Sequence, residues 1–195
     1  MTAQQASKTF AGAKAGSAAA VQEKASPWTI GMVLVQVIIG YEWLVSGLVK
    51  IVRGDFTAGL GGELAEKVEG TYGWYSSLLE NVVVPNASIL GWIIETTEVL
   101  IGIAFIVVPL LWFFAQQRLS DRLWKTVFVL TAIAAIGGIF MALNFHLANG
   151  YVHPWMFPTD SFEEGVDFDT FLAAMNAVVA IVYFNLYNRL RRQEN

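Results

Sequence analysis

Cysteine is absent from the 195 residues, which excludes disulfides, thiolate-held iron–sulfur clusters, Cys zinc sites and Cys-x-x-Cys redox chemistry. Charge is scarce as well. Asp, Glu, Lys and Arg make up 14% of the chain against 55% hydrophobic residues, and the mean hydropathy is +0.52. A soluble domain carries about 25% charge, so the chain reads as a membrane protein. A net charge of −4 leaves no overall basic field for nucleic acid. The two histidines, His146 and His153, fall at the end of one apolar run and in the loop after it, so no pair stands on facing helices to ligate a haem. Gly59, Gly61 and Gly62 lie in an acidic stretch without strand–helix context and read as a turn, not a phosphate loop.

What is present is four apolar runs. Residues 1–27 are rich in Ala, Gln, Ser and Lys and read as a flexible tail; they lack the apolar core of a cleaved signal. Residues 28–52, 87–108, 123–148 and 168–187 are each long enough to cross a hydrocarbon core of about 30 Å at about 1.5 Å per residue. Pro109 is expected to end or kink the second run ahead of the aromatic Trp112, Phe113 and Phe114. Ala134, Gly138 and Ala142 form a four-residue stripe in the third, suited to close helix packing. The expected fold is an all-α integral membrane four-helix bundle. Nine of the twelve Lys and Arg residues fall in the tail, between runs two and three, and after run four. The positive-inside rule then places both termini, including residues 191–195, in the cytoplasm and the protein in the cytoplasmic membrane. The first outer loop holds Tyr72, Trp74, Tyr75 and Leu78, which suits an interfacial or re-entrant segment, and Trp155 between Pro154 and Pro158 suits the same in the second.

Charges within a span are costly unless paired or hydrated, so Glu42, Glu95 and Glu98 are the most informative residues. Glu42, Ser46 and Lys50 recur every four residues and share one face of the first helix. Gly91, Glu95, Glu98 and Gly102 share a face of the second. All three acids lie about 12–16 Å from the outer helix ends at 1.5 Å per residue, level with Asn176 in run four. His146 continues the stripe from Ala142 and is expected to join the acids, with Asn144 turned elsewhere or toward the loop. Three readings stay open: Lys50 and His146 neutralise the acids and fix helix register; the group relays protons or meets a quinone or lipid headgroup; or three carboxylates and a histidine hold a metal, for which the ligand spacing is absent. On the second reading Glu42, Glu95, Glu98 and His146 carry the proton chemistry, while Ser46, Lys50, Asn144 and Asn176 hold the headgroup.

The segment from Gly40 to Lys50, Gly-Tyr-Glu-Trp-Leu-Val-Ser-Gly-Leu-Val-Lys, resembles the first-helix pattern of DoxX/DoxD-type membrane proteins. Pro85, Glu95, Glu98 and Gly102 are similar to that family's second helix, and Asn144 and Asn176 match polar positions of its third and fourth. The similarity covers about residues 28–190, with the long first tail and the Glu-rich outer loops as departures. It implies the membrane subunit of a thiosulfate:quinone oxidoreductase, with quinone as cofactor and a partner subunit supplying the substrate chemistry. The alternative is a non-catalytic accessory subunit of a larger respiratory or other membrane complex, as a partner subunit or a homo-oligomer.

Overall fold

The computed structural model describes residues 26–150 and 166–193. Among them there is no strand. The elements are α1 (Pro27–Arg53), α2 (Phe56–Lys67), α3 (Gly73–Leu78), α4 (Ala87–Ala115), α5 (Asp121–Ala148) and α6 (Phe168–Arg192), with short 3-10 and π turns joining α2 to α3 and α3 to α4. Four helical segments are long and apolar enough to cross a membrane, so the chain is an all-α integral membrane four-helix bundle. The expected segment around Trp155, His153 and the tail before Ser26 lie outside the described residues.

Local chemistry sets the helix ends. Ser26 caps α1 by accepting from the Thr29 backbone N–H at 3.2 Å, and Pro27 occupies the first helical position, where a missing N–H costs nothing. Gly54, at φ 71°, closes α1 with its N–H on the Lys50 carbonyl. Asp167 caps α6 through the Thr170 N–H at 2.9 Å. The spans run longer than hydropathy predicts, most of all in α4. Pro109 neither ends it nor marks its boundary: the helix continues to Ala115, with Pro109 buried inside it. A proline removes one backbone donor, and within a bundle neighbouring helices tolerate that loss. Trp112 is consequently not a simple belt residue; its ring meets Trp124 edge-on at 5.0 Å and Phe128 at 5.1 Å.

The bundle consists of two close pairs, α1 with α4 and α5 with α6, joined mainly through α4 and α5, while α1 and α6 touch little. Trp43, Ile101, Phe105, Trp124 and Phe128 form the shared core. The α1–α4 crossing is made possible by glycines. A Cβ on Gly102 would fall 2.5 Å from the Leu44 backbone nitrogen, and one on Gly47 would fall 2.8 Å from the Glu95 carbonyl oxygen. On α5 the small-residue stripe faces α6: Gly138 receives the Asn176 carboxamide where any side chain would collide with it.

Helices α2 and α3 form a helical cap over one end. Leu60, Leu64, Tyr75 and Leu79 pack with Ala87 and Ala148 as a second small core, and the Tyr75 hydroxyl donates to the Asn144 carbonyl at 3.1 Å. This end carries Asp55, Glu63, Glu66, Glu69, Asp167 and Asp169. The opposite end, where α1 begins and α6 finishes, carries Arg118, Arg122, Lys125, Arg189, Arg191 and Arg192.

Candidate functional site

Lys50 lies one turn from the end of α1, yet its side chain turns back into the bundle. Helical Cα–Cβ bonds tilt toward the N-terminus, so a long side chain at a helix's last turn reaches down over the preceding one. Its Nζ donates to Ser46 Oγ at 2.7 Å and to both oxygens of Glu98, at 2.7 and 2.6 Å. The Glu98 side chain is 1% exposed and that of Lys50 20%. The rings of Phe56 and Phe145 flank the ammonium, with centroids 5.2 and 5.9 Å away. Glu98 therefore has both its oxygens satisfied by one cation in an apolar setting, the arrangement that makes a buried ion pair tolerable.

This group lines a cavity of about 190 Å³ between α1, α4, α5 and α6. Glu42 and Asp169 line it too. Glu42 is exposed and marks the mouth, so it is not buried with the other acids as its register suggests. Trp43 forms part of the wall; its side chain is buried, and its indole Nε1 has no hydrogen-bond partner among the described residues. Asp169 connects the cavity to the capped end: the Asn149 amide donates to its Oδ2 at 3.2 Å, and Lys67 donates to Asn149 Oδ1 at 2.8 Å. Lys67 in turn pairs with Glu63 at 3.1 Å.

The other predicted residues go elsewhere. Glu95 is buried one turn from Glu98 but makes no ion pair with Lys50 among the described residues and does not line the cavity. The hydrogen bonds of the Lys50 ammonium go to Ser46 and to both oxygens of Glu98. His146 is buried at the α5–α6 seam, where Nδ1 lies 3.1 Å from Asp167 Oδ2 and 3.3 Å from Thr170 Oγ1. It serves the start of α6 and not the Lys50 group, because pairing of α5 with α6 brings the Asp167 cap closer than any acid of α4. Burial opposes the charge of Asp167, but hydrogen bonds from the Thr170 hydroxyl and backbone and from His146 outweigh it and hold the carboxyl below the usual range. Asn144 accepts from the Tyr75 hydroxyl at 3.1 Å and donates to the Phe140 carbonyl. Asn176 donates to the Leu172 carbonyl at 2.7 Å, while its Oδ1 has no partner among the described residues. Asn144 thus ties α5 to α3, Asn176 bonds within α6 while its carboxamide packs on Gly138 of α5, and neither lines the cavity.

Trp43 and Asp169 are the residues sequence reasoning passes over. Trp43 stands seven positions before Lys50, two helical turns up the same face, so the polar stripe itself contained the signal. Asp169 stands at the start of the fourth run, where it counts with the acids of the outer side and nothing in the sequence alone brings it to the cavity.

Comparison with protein-family profiles, curated proteins and solved structures gives no match.

Proposed function

We propose that this chain is the membrane subunit of a quinone-coupled oxidoreductase, and that its 190 Å³ cavity takes a quinone headgroup. The observation that carries the reading is a buried indole N–H without a partner in the wall of a cavity that also holds an ammonium and a carboxylate. A quinone carbonyl is an acceptor that such a donor lacks, and reduction to the quinol takes up two protons with two electrons. Glu98 and Lys50 sit where protons are needed, and Asp169 with Asn149 leads from the capped end. The cavity is smaller than the roughly 300–1,000 Å³ of sites that enclose a whole drug-sized ligand. It therefore suits a ring, with the isoprenoid tail leaving along the loosely packed α1–α6 seam. Electrons come from the partner subunit that the resemblance implies. The resemblance of the first helix to DoxX/DoxD-type proteins supports the same reading, with thiosulfate as the partner's substrate.

Decylubiquinone binding to the purified protein tests this. Glu98→Gln preserves shape while removing the charge, and Trp43→Phe removes the indole N–H together with part of the ring; each is expected to weaken binding about 10–100-fold, the equivalent of one hydrogen bond to a charged or otherwise unsatisfied buried group. Unchanged affinity in both variants would overturn the headgroup site. A second reading, an accessory subunit of a larger membrane complex, draws on the Lys50 ammonium, whose three near contacts are all supplied by Ser46 and Glu98. Absence of quinone binding with partner subunits still co-purifying would select it.

The basic end is proposed to face the cytoplasm, with both termini there, in the cytoplasmic membrane. A reporter fused after Asn195 is expected to show cytoplasmic activity; a signal from the opposite side overturns the orientation.

A further inference from the structure

At the basic end, far from the Lys50 group, the weak contact between α1 and α6 leaves a second cavity of about 500 Å³, closed on its third side by α4. Its walls are apolar, with Met32 and Val33 from α1, Trp112 from α4 and Leu186 from α6. Its polar floor is a single pair, in which Gln36 Nε2 donates to the Tyr183 hydroxyl at 2.9 Å, and both side chains line the cavity. The wall around that pair is aliphatic and aromatic and accommodates hydrocarbon. Arg189, exposed, stands at the rim. From Trp28 to Gln36 the cavity follows α1 for eight residues, or about 12 Å at 1.5 Å per residue, a depth that begins at the headgroups and reaches into the acyl region.

We infer that this cavity seats an acyl chain of an anionic phospholipid, with the lipid phosphate on Arg189. Charge complementarity decides the headgroup. Arg118, Arg122, Arg191 and Arg192 share this end with Arg189, and Asp121 is the acid among the described residues there. A phosphate with no compensating ammonium is attracted by that field, whereas a zwitterionic headgroup brings its own cation. Trp28 and Trp112 place amphipathic indoles at the same level, as at other membrane–water boundaries.

The test uses the full chain, stripped of lipid in mild detergent, and tryptophan quenching by phosphatidylglycerol or phosphatidylcholine brominated on the acyl chain. Phosphatidylglycerol is expected to bind about fivefold more tightly, the contribution of one basic side chain near a phosphate. Arg189→Gln removes that preference. Arg122→Gln, at the same end but outside the cavity, keeps it. Val33→Phe narrows the cavity without adding a fluorophore and weakens the part of the quenching that comes from Trp28 and Trp112 for both lipids, with a melting curve recorded alongside to confirm that the variant is folded. Equal affinity for the two lipids in the parent protein overturns the proposal, as does an equal loss in the two arginine variants, which would mean a diffuse basic field. Quenching unaffected by Val33→Phe in a folded variant, or lipid binding that emerges only after residues 1–25 are deleted, overturns it too.

Discussion

Replacing Lys50 by Met is expected to destabilise the protein by about 3–5 kcal/mol, because truncating one member of a buried pair strands the other in a low-dielectric setting. The stranded group is Glu98, 1% exposed, whose two oxygens each accept a hydrogen bond from Lys50, itself held by its bond to Ser46. Lys67→Met makes the same chemical change where both side chains of the pair are well exposed, at 36% and 62%. It is expected to cost no more than about 1 kcal/mol. Denaturation in one detergent compares the two variants directly, and equal stability would show that the Lys50–Glu98 contact contributes nothing. Lys50→Met combined with Glu98→Leu separates burial from attraction. If the penalty belongs to the orphaned carboxylate, the double variant recovers most of the stability, since an apolar pair of similar size needs no counter-charge. Quinone binding should not recover with it, because both polar groups are then gone.

How far this arrangement was legible in the sequence depends on whether one helix or two carried the information. The spans follow from hydropathy alone, and α1, α5 and α6 begin within two residues of where the apolar runs begin. The polar face of α1 was legible too, since Glu42, Ser46 and Lys50 repeat at the helical period. Periodicity fixes which residues share a face but not which helix that face meets. Glu95 and Glu98 are therefore equivalent in the sequence, and only the α1–α4 crossing chooses Glu98 for Lys50. The same ignorance misplaces His146. It continues the buried stripe of α5 as expected, but that stripe faces α6, where Asp167 and Thr170 wait at the helix start. Asn176 fills the space above Gly138 and does not join the Lys50 group. Pro109 misleads as a helix end for a different reason: its local preference for breaking a helix is overridden where the surrounding bundle lets α4 continue to Ala115.

Gly102→Ala, an addition of a single methyl group, is expected to cost about 1–3 kcal/mol through overpacking, although alanine is the better helix former by about 1 kcal/mol. The new Cβ would lie 2.5 Å from the Leu44 nitrogen and 2.6 Å from its Cα, and these are backbone atoms of α1 that no rotamer change can move aside. Helices in a membrane gain no hydrophobic drive from meeting each other, so a crossing built on backbone contact has few other contributions to offset a forced separation. Gly137→Ala supplies the control: nothing lies within 4 Å of its added methyl, so helix propensity acts alone and stability should hold or rise. Indistinguishable melting of the two variants would mean that α1 and α4 do not meet as closely as described. The position of Gly102 also ties packing to the site. It lies one turn beyond Glu98 on the same face of α4, opposite the stretch of α1 that carries Trp43 and Ser46. Pushing the helices apart there lengthens the reach from Lys50 to Glu98 and opens the wall around the indole. Gly102→Ala should accordingly weaken decylubiquinone binding as well as stability, whereas Gly138→Ala, which disturbs the α5–α6 pair at Asn176, should lower stability and leave quinone affinity near that of the parent.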